Sequence, residues 1–317
     1  METIYFLVQQ TMLFSIPLLL VALGGMFSER SGVVNIALEG IMIIGAFTGI
    51  FFISRFGNLF SPTITLFIAI IISALSGLIF SLLHAYASIN MSADQVISGT
   101  ALNIFAPAFA IYVTRAIQVV QQISFVNNFR IESVPVLGNI PIIGNLLFKN
   151  SYITTYLGFI ILALSWFALY KTRFGLRLRS CGEHPQAADS VGINVYKMRY
   201  FGVAISGALA GIGGLVFVIP TSTNFNATVA GYGFLALAVL IFGQWKPMRI
   251  LYAAFFFGLM KTLASAYSGI PIFSNLPISN SVYKMIPYIT TIIVLAFTSK
   301  NSQAPKASGL PYDKSVR

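Results

Sequence analysis

Apolar runs of about twenty residues recur along this chain with only short polar breaks between them, and a spanning helix needs about that length. Hydrophobic residues make up 57% of the sequence and charged residues only 9%, whereas a soluble domain carries roughly 25% charge. A chain this poor in charge cannot cover itself in water, so its solvent is a bilayer. Spans are predicted near residues 4–27, 33–54, 63–88, 95–115, 151–171, 200–220, 230–244, 250–269 and 283–299, about nine with a range of about eight to ten. The reading is an all-α, polytopic membrane helical bundle over residues 1–299. A polar cytoplasmic tail follows at 300–317, and its composition predicts disorder. The second and seventh spans open on Ser31-Gly32-Val33-Val34-Asn35 and Ala230-Gly231-Tyr232-Gly233. Such interruptions survive at membrane depth only where protein or a water-filled path satisfies the backbone.

The net charge of +11 does not indicate nucleic acid, because the basic residues gather in a few connections. Lys171, Arg173, Arg177, Arg179, Lys197 and Arg199 flank one polar segment, and Lys300, Lys306, Lys314 and Arg317 mark the end. That is the positive-inside pattern of a membrane protein. It places 172–199, the Lys246/Arg249 turn and the tail in the cytoplasm, with 116–150, 221–229 and the N-terminus outside. The N-terminal run lacks the basic flank of a cleaved leader, Glu2 being the only charge before Glu29, and reads as a retained helix. One cysteine, Cys181, excludes an internal disulfide, and His84 and His184 stand too far apart to suggest a metal. No GxxxxGK[ST] pattern occurs, so the chain has no P-loop of its own. No nucleophile, base and acid set stands out either, which weighs against a membrane enzyme.

Three stretches are unusual. In Glu29-Arg30-Ser31-Gly32-Val33-Val34-Asn35-Ile36-Ala37-Leu38-Glu39-Gly40, the spacing of Asn35 and Glu39 predicts one helix face at the mouth of an apolar span. A charge there costs about 2.5–3.5 kcal/mol at the helix centre. The pair reads either as a polar wall of a solute path or as a residue that snorkels or bonds a neighbouring helix. In Asp94–Asn103, the residues Gln95, Gly99, Thr100 and Asn103 form a polar stripe facing protein or water rather than lipid, with interhelical hydrogen bonding as the plain reading. In Gly182–Ile193, Pro185 fits a first turn and Gly192 a C-terminal cap. The helix between them has Ala187, Ala188 and Val191 on one side and is too short to stand alone. Small residues at Gly45, Gly49, Ser73, Gly77, Gly207, Gly211 and Gly214 predict close helix packing.

These motifs, with Ser206-Gly207-Ala208-Leu209-Ala210-Gly211, Gly231-Tyr232-Gly233-Phe234 and Phe242-Gly243-Gln244-Trp245-Lys246-Pro247, resemble permeases of bacterial ABC importers. More narrowly, they resemble the branched-chain amino acid and simple-sugar permease family, from about residue 10 to 298. The Glu29–Gly40 and Asp94–Asn103 stretches are most similar to nucleoside-type permeases for guanosine and other purine nucleosides. The chain departs from common family forms at Gln244-Trp245-Lys246, expected to face the cytoplasm.

The resemblance implies a type II importer permease with a coupling helix at about 182–193, comprising Gly182, Glu183, His184, Pro185, Ala187, Ala188 and Gly192. It implies an ATP-binding subunit carrying ATP and Mg, a second permease that is a paralogue or a second copy, and an extracytoplasmic solute-binding protein. No cofactor, metal or catalytic residue is expected in this chain, which would sit in a bacterial plasma membrane. Asn35, Glu39, Gln95, Thr100 and Asn103 are expected to line the path. A sugar or branched-chain amino acid permease is the alternative within the class. An ion-coupled transporter, with Glu39 as proton or sodium ligand, is the alternative outside it.

Overall fold

A computed structural model describes residues 2–134, 138, 140–141, 144–266, 280–298 and 303–314. The helices are α1 (Glu2–Arg30), α2 (Leu38–Phe56), α3 (Pro62–Ile89), α4 (Gln95–Gln118), α5 (Ile153–Lys171), α6 (Arg173–Glu183), α7 (Pro185–Ser190), α8 (Val195–Thr221), α9 (Tyr232–Phe242), α10 (Pro247–Ala266) and α11 (Asn280–Thr298). Among the described residues, seven are long and apolar enough to cross a membrane: α1, α2, α3, α4, α5, α8 and α10. The expected seventh span is helical only over the 11 residues of α9. At 1.5 Å per residue that is about 16 Å, half of a hydrocarbon core. The expected 283–299 span is α11, with residue 299 outside the described residues, as are 267–269 of the expected 250–269 span.

The centre of the bundle is α8, which packs on α1, α2 and α3. Its buried face carries Ser206, Gly207, Ala210, Gly211 and Gly214, and these let backbones touch. A Cβ added at Gly45 would lie 2.3 Å from the Gly211 Cα, and one at Gly77 would lie 2.4 Å from the Gly207 carbonyl. Ser73 Oγ donates to the Gly45 carbonyl at 2.8 Å across the same seam. In lipid, where apolar burial gives helices no preference for each other, such close packing supplies the association energy. Gly211→Leu would force α2, α3 and α8 apart, and overpacking costs about 1–3 kcal/mol or more. The purified chain is therefore expected to lose at least about 2 °C of unfolding midpoint. An unchanged midpoint would contradict the seam.

At one end of the bundle short strands tie connections together. β1 (Ile123–Ser124) pairs with β4 (Asn224–Phe225), and β2 (Arg130–Ser133) pairs with β3 (Lys149–Tyr152). Asn127 Nδ2 donates to the Ile219 carbonyl at 2.7 Å, fixing the end of α8 there. At the other end lie the α1–α2 connection, α6, α7 and the α9–α10 turn. The tail also lies there, and it is not disordered over 303–314: Ala307 N donates to the Gly182 carbonyl at 2.8 Å and Gly309 N to the Gly32 carbonyl at 3.2 Å. Tyr312, 5% exposed, completes an apolar cluster with Cys181, Ala188 and Val195. Polar composition predicted no structure there because it carries no signal of the cluster that receives one aromatic ring.

Candidate functional site

Between α1 and α2 the chain is not helical, so Asn35 does not share a helix face with Glu39 as the spacing predicted. The glycine at 32 turns the chain with φ +99°, and the next residues run through the interior without ladder partners. Side chains from three helices and from the break itself supply them. Ser28 Oγ donates to the Val33 carbonyl at 2.7 Å, and Gln95 Oε1 accepts from Val34 N at 2.7 Å. His84 Nε2 lies 2.9 Å from the Val34 carbonyl, with Nδ1 3.1 Å from Ser98 Oγ. Asn35 Oδ1 accepts from Ala37 N at 3.2 Å, while its Nδ2 donates to Ser206 Oγ at 2.9 Å. Asn103 bridges the break, donating to the Ile36 carbonyl at 2.8 Å and accepting from Gly40 N at 2.7 Å. An unpaired backbone group at membrane depth costs several kcal/mol, and these side chains remove that cost.

The second interruption faces the first. After α8 the chain turns back through β4 in extended form and becomes helical at Tyr232, following Gly231 at φ +78°. The Glu39 carboxylate, 8% exposed, accepts from Gly231 N at 2.9 Å and from Gly233 N at 2.6 Å. It thus caps α9 while sitting in the first turn of α2. Both helix N-termini carry partial positive charge and orphan N–H groups, so one carboxylate answers two helix ends. The approach is close: a Cβ at Gly233 would fall 2.4 Å from Glu39 N.

Beside this junction lies a charge that sequence reasoning passed over. Lys261 stands about 21 Å along α10 from Pro247, and it makes no ion pair among the described residues. Its Nζ lies 5.8 Å from the centroid of the Tyr232 ring, which in turn lies 4.0 Å from the Phe217 ring. The Tyr232 hydroxyl is buried without a hydrogen-bond partner among the described residues. A single Lys in an apolar helix was the available signal, since intramembrane cations are costly and mark functional positions. His84 was missed because one imidazole in an apolar run also reads as an ordinary core residue.

Helices α6 and α7 are tied to the α1–α2 break. α6, in the polar stretch 172–199, is an amphipathic helix burying Gly175, Leu178, Cys181 and Gly182. Gly182 abuts α1, a Cβ there falling 2.4 Å from the Arg30 carbonyl. Glu183 lies 3.6 Å from Arg30 Nη1. Arg30 Nη2 also donates to the Trp245 carbonyl at 3.1 Å, and Trp245 Nε1 donates to Glu29 Oε2 at 2.6 Å. Trp245, expected to face the cytoplasm, is 4% exposed and latches the α9–α10 turn onto α1. On α7, Pro185 occupies the first turn and Gly192 follows with φ +83°. Pro185 and Ala188 face inward, whereas His184, Gln186, Ala187, Ser190, Val191 and Gly192 are exposed. The predicted single face of Ala187, Ala188 and Val191 is therefore split, with Ala188 on the inner side.

Of the five residues expected along a path, Asn35, Glu39, Gln95 and Asn103 converge on the junction of the two interruptions, and each bonds backbone there. Thr100 stands apart on the exposed face of α4, its hydroxyl donating to the Val96 carbonyl at 2.7 Å.

Comparison with known proteins follows the same outline. The family model described as "Branched-chain amino acid transport system / permease component" matches residues 7–295. The chain belongs to this family. It is 42% identical to the nucleoside ABC transporter permease protein NupC of Lactococcus lactis over 99% of its length and 98% of that protein's. It is 44% identical to the guanosine ABC transporter permease protein NupQ of Bacillus subtilis, over 98% and 97% respectively. A putative glucose ABC transporter permease of Haloferax volcanii is 29% identical over 88% of this chain and 87% of its own. No solved structure matches.

The clamp on the break has a direct test. Asn103→Leu removes partners from Ile36 and Gly40, each worth about 1–3 kcal/mol when buried. Solute uptake per molecule in the membrane is expected to fall at least about tenfold, with membrane abundance within about twofold of wild type. Uptake equal to wild type would show that the clamp does not hold the transporting form.

Proposed function

We propose that this chain is a permease subunit of an ABC importer that moves nucleosides, purine nucleosides first, across the cell membrane. The observation that carries the reading is end-to-end likeness to two permeases named for nucleosides and guanosine, at 42% and 44% identity. The geometry supports it. Two interrupted spans meet at a capped, buried junction inside the bundle, which is how many transporters place irregular backbone at a solute site. Asn35, Glu39, Gln95 and Asn103 fix the shape of this region, acting through the backbone they hold, while Thr100 offers the exposed face of α4 to the path. Beside it stand Lys261, with no ion pair, and the Tyr232 hydroxyl, with no hydrogen-bond partner, among the described residues.

The driving force comes from outside the chain. The exposed side of α7, with Ala187 and Val191, docks on an ATP-binding subunit that holds ATP and Mg. A second permease frames the other wall, and an extracytoplasmic binding protein selects the solute. The N-terminus lies outside and the tail in the cytoplasm, a reading supported by the cluster of basic residues in 172–199.

Uptake of labelled guanosine by cells with and without the chain tests the reading, challenged with excess adenosine, ribose or leucine. Loss of uptake on deletion, with competition by adenosine alone, is the expected result. Uptake indifferent to deletion, or competition by ribose or leucine instead, would overturn it.

A further inference from the structure

The C-terminal tail lies where no transport step has yet needed it. Residues 305–312 cross the cytoplasmic end of the bundle and bind three elements in succession. Lys306 N donates to Glu183 Oε2 at 3.4 Å, and Ala307 N donates to the Gly182 carbonyl, so the tail is anchored at the hinge between α6 and α7. Two residues later Gly309 N donates to the Gly32 carbonyl at the start of the α1–α2 break. Leu310 then accepts from Arg199 Nη1 at 3.0 Å, and the Tyr312 carbonyl accepts from the Tyr196 hydroxyl at 3.4 Å, both on α8. The Tyr312 ring packs against Tyr196 at 5.3 Å and touches the cluster holding Ala188 of α7.

Arg199 is the keystone of this arrangement. It is 1% exposed, and no carboxylate pairs with it among the described residues. Its guanidinium lies 5.9 Å from the Tyr312 centroid. Nη2 lies against Gly32, 2.9 Å from where a Cβ there would stand. Nε and Nη2 have no hydrogen-bond partner among the described residues. The neighbouring Cys181 thiol is pushed up to about 11 by burial, so at neutral pH it supplies no thiolate to balance the charge. A buried cation held by one carbonyl and one ring is costly unless its surroundings are fixed, and here the tail does the fixing.

We propose that residues 303–314 form a coupling strap, with Arg199 and Tyr312 as its positioning residues, which makes the ATPase-facing helix α7 and the α1–α2 break move as one body. Movement imposed on α7 enters the tail at Tyr312, through the cluster with Ala188, and at Ala307, through the Gly182 carbonyl at the α6 end that α7 adjoins, and reaches Gly32 through Gly309 N, two residues from Ala307. The proposal rests on the importer reading for its transport consequence, but the mechanical linkage stands on geometry alone.

Two measurements separate these parts. The first is amide hydrogen exchange on the full chain in lipid nanodiscs, comparing wild type with Tyr312→Ala, Tyr312→Phe and Arg199→Lys. Tyr312→Ala is expected to speed exchange at least about tenfold in both 182–193 and 31–37, with the α8 core unchanged. Tyr312→Phe, which keeps the ring, is expected to match wild type, and Arg199→Lys to fall between. Exchange that rises in one segment without the other, or in neither, would overturn the strap. The second measurement uses the complete transporter in vesicles. Tyr312→Ala is expected to keep ATP hydrolysis within about twofold while solute moved per ATP falls about tenfold, and Tyr312→Phe to restore it. Hydrolysis and transport falling in step would overturn the coupling role. If guanosine is not moved even by wild type while the exchange result holds, the solute assignment fails and the strap does not.

Discussion

Glu39→Gln is expected to cut guanosine uptake at least about tenfold while the chain stays in the membrane at its normal level. The carboxylate uses both oxygens, one on Gly231 N and one on Gly233 N. An amide offers one acceptor and turns its NH2 toward an N–H that must then go unpaired. A hydrogen bond to a charged acceptor contributes about 1.5–3 kcal/mol, and a buried donor left without a partner costs about 1–3 more. Together these amounts shift the population of the capped junction by a factor of ten or more, since about 1.4 kcal/mol is tenfold. Glu39→Ala frees both donors and removes the charge that answers two helix ends, so its uptake is expected to be lower still. Initial rates of labelled guanosine uptake, normalised to chain in the membrane, measure both. Equal rates for wild type and Glu39→Gln would mean that the cap on α9 has no part in transport.

The second large effect is expected at α7. Val191→Arg puts a cation on a side chain that is 74% exposed, at the proposed contact with the ATP-binding subunit. Solute-stimulated ATP hydrolysis by the complex is expected to fall below about a tenth of wild type, because a charge buried unpaired in an interface costs several kcal/mol. Membrane abundance is expected to stay normal, since Val191 touches no core. Ala188→Arg is the informative contrast. Ala188 is 3% exposed and packs with Cys181, Val195 and Tyr312, so an arginine there must break the cluster and abundance is expected to fall as well. Normal hydrolysis in Val191→Arg would move the docking surface elsewhere.

The long spans were legible because hydropathy alone marks a membrane helix, with no need to know its neighbours. Both interruptions were marked by glycine and polar residues inside apolar sequence. The extent of the second was not: the expected 230–244 span is helical only over Tyr232–Phe242, because its start is set by the turn at Gly231 and by the Glu39 carboxylate on Gly231 N and Gly233 N. The four residues that converge on the junction were chosen as polar groups in costly places. What they bond could not be read, since the partners Val34, Ile36, Gly231 and Gly233 contribute backbone, which leaves no trace in a pattern of side chains. Ala188 and Ala187 look alike in sequence, and packing against Cys181, Val195 and Tyr312, the last from the far end of the chain, decides that Ala188 is the buried one.

The most direct test of the account is accumulation of labelled guanosine in vesicles holding the whole transporter, with ATP supplied on the cytoplasmic side and ion gradients collapsed. Guanosine concentrated above its external level only when ATP is hydrolysed, and not by vesicles lacking this chain, is the predicted result. Accumulation that needs a proton or sodium gradient and ignores ATP would contradict it, and would return Glu39 to the role of an ion ligand.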